Sequence, residues 1–462
     1  MNRSEILTGV DLGTTKLCAL AFEPKERRVL AMESLPNDAA TSGAGSEQNA
    51  GRILAQGKEC LARLVARPEL ASRRVAGIGV TGQMHGVVLV DREGRPQTTL
   101  VTWQDQSGAE TSRTGRSFVA ELAHRLDNSA PTRTGCLPAT GYGGVTLLKW
   151  QEEGRLVHGA MAMTIPDLFV RELTGVALTD PTLAASWGIF DAKAGQDWLP
   201  GLRKTLGWPE GLLPTVRPTG SRAGALSASA RVGLAAGVPV AVAIGDNQAA
   251  FIGGVPSLDQ SVLFNLGTGG QMSVAASQYR VVPGLETRPL AAGRWLLVGA
   301  ALCGGQAFDV LARFFARAGQ ELFGVELKKE LYEALNRAAA AADDGPSLSP
   351  LFCGTRQDPD QRAAISGIGL DNFTPGNLTR ALVRGMVDEL VSFYRASGVE
   401  ASVAAGSGNG LRRNPAVQDE LKRQLGMPLF LPEYEEEAAV GAALTAGVAA
   451  GVYPDWAAAW KQ

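Results

Sequence analysis

One pattern occurs twice in the chain, more than half its length apart. Val10-Asp11-Leu12-Gly13-Thr14-Thr15-Lys16 lies between apolar runs (Ile6, Leu7; Leu17, Ala19, Leu20, Phe22), and Phe264-Asn265-Leu266-Gly267-Thr268-Gly269-Gly270 repeats the arrangement before Met272 and Val274. Each reads as a strand, a tight Leu-Gly-Thr turn and a second strand. A turn with its N–H groups aimed outward is an anion nest, and a neighbouring carboxylate such as Asp11 can hold a cation beside the anion. Phosphate with magnesium is the economical reading. A single turn of this kind is commonplace; the echo implies two similar domains, each giving one phosphate-binding hairpin to a shared cleft.

The length, 462 residues, allows two or more domains with ample core. Apolar runs that alternate with helical spacing predict an α/β fold whose two domains each carry a mixed sheet flanked by helices. Helical spacing covers 52–66, and 75–80 reads as a buried strand ending in Thr81-Gly82-Gln83-Met84-His85-Gly86. Strand 238–244 opens the second half, which sets the boundary at 1–243 and 244–462. Helices are expected over 305–319, 326–342 and 377–394, then a strand at 401–405.

A formal net charge of −2 argues against nucleic acid or an anionic membrane as the main partner. Five scattered cysteines without a CxxC fit a reducing compartment and no zinc site. The start carries an acid and runs straight into a strand, with no secretory pattern. Two uncharged runs, 260–279 and 438–454, are broken by glycine or built of Ala and Gly, so neither reads as a membrane span. A cytoplasmic protein is expected. The acid run 433–437 reads as a solvated face ahead of the Ala/Gly helix.

Chemistry concentrates between the hairpins. Gly245-Asp246-Asn247-Gln248 follows an apolar strand directly. Phosphoryl transfer to an alcohol needs positioning, charge neutralisation and one base for the hydroxyl proton, and Asp246, at a strand end before a helix, is the candidate base. The competing role for such a residue is a helix cap. Gln83, Met84 and His85, with Trp103 and Asp105, are candidates for a polyol: planar polar groups and carboxylates hold hydroxyls, and an aromatic ring covers a C–H face. Gly406, Gly408 and Asn414, in and after a glycine-rich turn, suit close backbone approach to a nucleotide.

Taken together, Gly-Val-Asp-Leu-Gly-Thr-Thr, Gly-Gln-Met-His-Gly, Trp-Gln-Asp, Gly-Asp-Asn-Gln-Ala, Asn-Leu-Gly-Thr-Gly and Gly-Ser-Gly-Asn-Gly resemble, in order and over nearly the whole chain, the FGGY carbohydrate kinases of the sugar kinase, heat-shock chaperone and actin superfamily. Residues 363–383 also fit a signature of that family, through Ile365, Gly367, Ile368, Asn377, Leu378, Ala381, Leu382 and Val383; Arg384 breaks its last position, where an acid or Gln is usual. Segments 101–105 and 184–190 look most like sedoheptulokinases, with xylulokinases next.

The resemblance implies two ribonuclease-H-like domains closing on ATP, Mg²⁺ and a sugar. By position, Asp11 would hold the metal, while Thr14, Thr15, Gly267 and Thr268 would contact phosphates. Asp246 would be the base, with Gly406, Gly408 and Asn414 at the nucleotide end and Gln83, His85, Trp103 and Asp105 at the sugar end. Two positions depart from the family. Cys18 stands where a Lys or Arg is usual, and Lys16, on the same face of an alternating strand, is the candidate substitute. Leu147 stands where a Lys is usual.

Phosphorylation of a ketose at a terminal primary hydroxyl is the expected activity, sedoheptulose first and xylulose or another pentulose or polyol second. A non-catalytic, nucleotide-dependent sensor is the rival from another class. Composition does not choose the sugar, and it leaves the oligomeric state open, a homodimer included.

Overall fold

A computed structural model describes residues 4–41, 46–157, 159–327, 330–342, 345–355, 358 and 360–460. Both predicted hairpins form. Glu5–Leu12 pairs antiparallel with Lys16–Glu23, and Ser261–Leu266 with Gly270–Ala276, so three residues make each tip (13–15 and 267–269).

Around each hairpin the same sheet is built. In the first, the hairpin continues antiparallel into Arg28–Pro36, while Arg74–Gly82 and Pro239–Ala241 add in parallel on the other side. The second repeats this with Trp295–Ala301, then Val403–Ser407 and Leu429–Phe430. Number the strands of each half in chain order, and both sheets run 3-2-1-4-5. An extra strand extends one edge of each, Arg222–Ala225 in the first and Glu286–Pro289 in the second. The duplication is what the repeat implied, and the two mixed sheets have the ribonuclease-H-like arrangement that the resemblance implied.

Helices cover the outer faces: Ala50–Val65 and Ile165–Thr174 on the first sheet, and Pro375–Ser397 with Gly305–Phe323 on the second. Their ends, with those of Glu330–Ala340, lie within four residues of the expected ones, close to the ordinary scatter of helix boundaries. Residues 87–213 add a lobe with its own core around Trp150, Trp187 and Trp208.

Between the two sheets lies a shared core. It contains Leu7, Leu20 and Phe22 from the first sheet, Leu263, Ala275 and Val298 from the second, and the helices Asp246–Gly254 and Glu437–Ala449. The Ala/Gly helix is therefore close-packed, as its composition suggested. A Cβ on Gly79 would lie 1.8 Å from the Ala442 carbonyl oxygen, and one on Gly441 would lie 1.9 Å from that of Ala249. Backbone thus sits directly on backbone, and the two helices begin at the same end of the core. Gly79→Ala is expected to destabilise by about 3 kcal/mol or more, the upper range for forcing atoms into a packed interior. Thermal unfolding checks this, with Gly267→Ala, whose Cβ would meet nothing within 4 Å, as the tolerated control. Among the described residues no helix is long and apolar enough to cross a membrane.

Candidate active site

The two helices of the shared core start at a cavity of about 370 Å³ lined by both halves. Asp11 reaches it from the last turn of the first strand, where it pairs with Cys18 on one side and Thr81 on the other. Asn265 occupies the equivalent place in the second sheet, between Gln271 and Ser407, and lines the same cavity. A second cavity of about 600 Å³ adjoins through Asn409, and Gly267, Thr268, Gly410, Arg413 and Asn414 line it. The second hairpin tip therefore stands between the two spaces.

Asp246 is the first residue of its helix and faces the first cavity. Its place is fixed by what precedes it. The Gly245 N–H donates to Thr182 Oγ1 at 2.8 Å, Thr182 donates in turn to the buried Asp180 at 2.7 Å, and a Cβ on Gly245 would come within 2.7 Å of the Met84 sulfur. Met84 is thus core, and its contact sets the turn ahead of Asp246. Thr182→Val, which keeps the shape and removes the acceptor, is expected to cost about 1–3 kcal/mol through the unpaired buried N–H. Chemical denaturation reads that loss.

Burial pushes the Asp246 carboxyl up to about 6, against the Asn247 backbone N–H and the Arg288 charge, which favour the ionised form. Burial pushes Asp11 further, to about 8, helped by the negative charges of Asp246 and Glu436 and opposed by Lys16. Asp11 Oδ1 is buried and has no hydrogen-bond partner among the described residues. A buried carboxyl raised by the neighbouring carboxylates of Asp246 and Glu436, with one oxygen orphaned, forms a place where a cation would be welcome.

Lys16 also lines the cavity and pairs with Glu436 from the second half. Burial works against its charge, but Glu436 holds its proton above the usual range. Cys18, two residues on along the same face, lies in the shared core, so the cavity receives Lys16 and not Cys18. The acid run corrects the sequence reading: Glu435, Glu436 and Glu437 line the cavity rather than forming a solvated face, and Glu437 is buried against Arg412. The Gly-to-backbone packing of the Ala/Gly helix carries its N-terminus inward, and that composition was the available signal.

The other candidates separate. Thr14 accepts from the Trp103 indole N–H at 3.0 Å, and its carbonyl accepts from Gln48 at 3.0 Å; Gln48 in turn accepts from Gln83 at 2.8 Å. Gln83 is buried beneath the first tip and holds it, Thr15 is exposed beside it, and Trp103 remains 48% exposed above. Asp105 accepts from the Ser107 N–H and hydroxyl and so caps a short turn. His85 adopts φ +71°, a left-handed conformation rare for a side-chain-bearing residue, with Nδ1 2.7 Å from the Ser186 carbonyl and its ring stacked on Tyr142 at 4.4 Å. None of Gln83, Met84, His85, Trp103 and Asp105 lines the two cavities. In the glycine-rich turn, Gly408 lines the first cavity with φ +79°, whereas a Cβ on Gly406 would strike Leu411, so Gly406 lies behind it. Asn414 lines the second cavity and caps the helix Pro415–Leu425.

Asn247, Arg288, Gln271 and Arg412 carried no weight in the sequence reading. Asn247 lies within Gly-Asp-Asn-Gln-Ala with nothing to set it apart from its neighbours, and Arg288 comes from an edge strand with no motif at all.

Residues 6–253 match the model of the N-terminal domain of the FGGY family of carbohydrate kinases, and residues 262–450 that of its C-terminal domain. A sedoheptulokinase of Homo sapiens is 33% identical, over 95% of this chain and 96% of that protein. A xylulose kinase of Streptomyces coelicolor is 27% identical over 96% and 87%. Among solved structures, the xylulose kinase of Rhodospirillum rubrum superposes with a TM-score of 0.84 at 24% identity, over 99% of this chain and 92% of that one, a likeness of fold.

Proposed function

The chain belongs to the FGGY family of carbohydrate kinases, and we propose that it transfers the terminal phosphoryl group of ATP to a terminal primary hydroxyl of a ketose, sedoheptulose before xylulose. The observation that carries this reading is Asp246: a carboxyl pushed up to about 6, at a helix N-terminus in the cavity that both halves line. At neutral pH it is ionised and able to accept a proton, the requirement for a general base.

In this reading 1–243 supplies the sugar end and the first hairpin, and 244–462 the base and the nucleotide end. Asp246 Oδ accepts the proton of the sugar hydroxyl as that oxygen bonds to the γ-phosphorus and the bond from phosphorus to the ADP oxygen breaks. Thr14, Thr15, Gly267 and Thr268 present the hairpin tips to the phosphates. Open space where a Gly267 Cβ would stand, beside the second cavity, fits that role. Asn414 and Gly408 bound the nucleotide end. Lys16 gives up Glu436 for a phosphate oxygen, which replaces the basic residue missing at Cys18.

Magnesium fits the donor set. Among the described residues no group of three or more His, Cys, Asp or Glu gathers to hold a metal, and Mg²⁺ is commonly bound through one or two carboxylates with substrate phosphates supplying the rest. Asp11, with its orphaned oxygen, would hold it. Bound there, the ion would neutralise charge on the phosphates.

Preference for sedoheptulose rests on the 33% identity to a sedoheptulokinase across both chains, and xylulose stands second through the likeness of segments 101–105 and 184–190; a glycerol kinase at 29% identity makes glycerol the informative control. A panel of ketoses, polyols and glycerol in a coupled ADP-release assay tests the choice. The highest kcat/KM is expected with sedoheptulose; a clear maximum on glycerol would overturn it, as would no turnover of any ketose.

A further inference from the structure

Arg288 is a buried cation beside the proposed base, on the edge strand Glu286–Pro289. Its Nε and Nη2 donate to Glu286 Oε2 at 2.9 and 2.6 Å, and its Nη1 donates to Asn247 Oδ1 at 3.2 Å. Glu286 Oε1 accepts from the Tyr142 hydroxyl at 3.2 Å, and Tyr142 stacks on His85. An unbroken chain of contacts therefore runs from the first half's His85 to the residue that follows Asp246.

The ion pair with Glu286 would be enough if Arg288 served stability alone. The third arm is what points to chemistry. A guanidinium has donors and no acceptor, so the Asn247 atom facing it is the carbonyl oxygen. That fixes which way the amide is turned and leaves Nδ2 as the donor available to the cavity, which Asn247 lines. A hydroxyl that hands its proton to a neighbouring carboxylate is best aimed when a donor engages an oxygen of the same molecule on the other side.

We infer that Arg288 is a positioning residue for the acceptor sugar: clamped by Glu286, it holds the Asn247 amide with its NH₂ toward a sugar oxygen next to the hydroxyl that Asp246 deprotonates. Tyr142 and His85 tie this clamp to the sugar end of the first half, so the two halves grip one end of the ketose together. The inference rests on the kinase reading above.

The test compares wild type with the paired variant Arg288→Met/Glu286→Gln, which removes both charges so that neither is left buried alone. The KM for the preferred ketose is expected to rise roughly tenfold, the effect of one well-aimed hydrogen bond. The KM for MgATP is expected to stay within about twofold, because neither Arg288 nor Glu286 lines either cavity. Asn247→Ala should raise the ketose KM by itself and add little in the paired background, where the amide is still present but no longer aimed. Should the paired variant not fold, Asn247→Asp serves: it still accepts from Arg288 but offers an acceptor in place of Nδ2, and the same rise is expected. An unchanged ketose KM in the folded variant, or additive effects of the two changes, overturns the inference and leaves the kinase reading standing. A wild type that phosphorylates no ketose removes both.

Discussion

Asp246→Asn is expected to lower turnover with the preferred ketose by about 10²–10⁴-fold, the range over which a positioned general base contributes. The substitution keeps size and a polar group at the first position of the helix, so MgATP affinity should change little and the melting temperature should not fall. The pH profile separates loss of the base from loss of shape. In the wild type the carboxyl sits at about 6 because burial raises it against Asn247 and Arg288. Below that value the folded enzyme holds Asp246 protonated and unable to accept, so kcat/KM should fall tenfold per pH unit on the acid side and level off above. In the variant that limb should vanish. A variant that retains both the rate and the limb would remove Asp246 from the role of base.

Asp11→Asn should have the opposite signs for activity and stability. Burial and the charges of Asp246 and Glu436 raise the Asp11 carboxyl to about 8, whereas an unfolded chain holds an aspartate near its ordinary value of ~3.9. The folded state therefore binds more protons, and this group's contribution to stability declines as pH rises from about 4 to about 8. Removing the charge should stabilise the ligand-free protein at pH 8 by about 1–3 kcal/mol, a figure discounted because the residue as a whole is only partly buried. That amounts to a rise of several degrees in melting temperature, with the gain shrinking toward pH 4. Activity should fall because the proposed magnesium ligand is gone. Melting curves at pH 5 and pH 8, with and without Mg²⁺, read both effects. An asparagine variant less stable than wild type at pH 8 would contradict the electrostatic account of the cavity.

The parts of this arrangement written in local pattern were legible from residues alone. The two hairpins are alternating strands around a Leu-Gly-Thr turn, each closed within fewer than twenty residues, so their echo exposes the duplicated sheet without any long-range contact. Asp246 was legible for the same reason, as a strand end that turns into a helix. What escaped depends on which backbone packs against which. Glu436 and Glu437 looked solvated because five charged and polar residues in a row usually are, yet the glycines at 9, 79 and 441 let their helix sink between the sheets and carry the acids into the cavity. Arg288 has no motif because its role comes from an edge strand meeting a helix start some forty residues earlier in the chain. Gly406 and Gly408 looked equivalent as text, but Gly406 is still in the strand and faces Leu411, whereas Gly408 lies just past its end at φ +79° and lines the cavity. Asp105 reads as a sugar ligand or as a turn cap with equal ease, and its bonds to Ser107 are visible only in three dimensions.

The most direct measurement is ³¹P NMR of the purified protein incubated with MgATP and sedoheptulose. The expected result is one new phosphomonoester resonance, split by the two protons of a terminal CH₂, growing in step with ADP and without inorganic phosphate. ADP accompanied only by inorganic phosphate, or a phosphate on a secondary carbon, would contradict the proposed transfer to a terminal ketose hydroxyl.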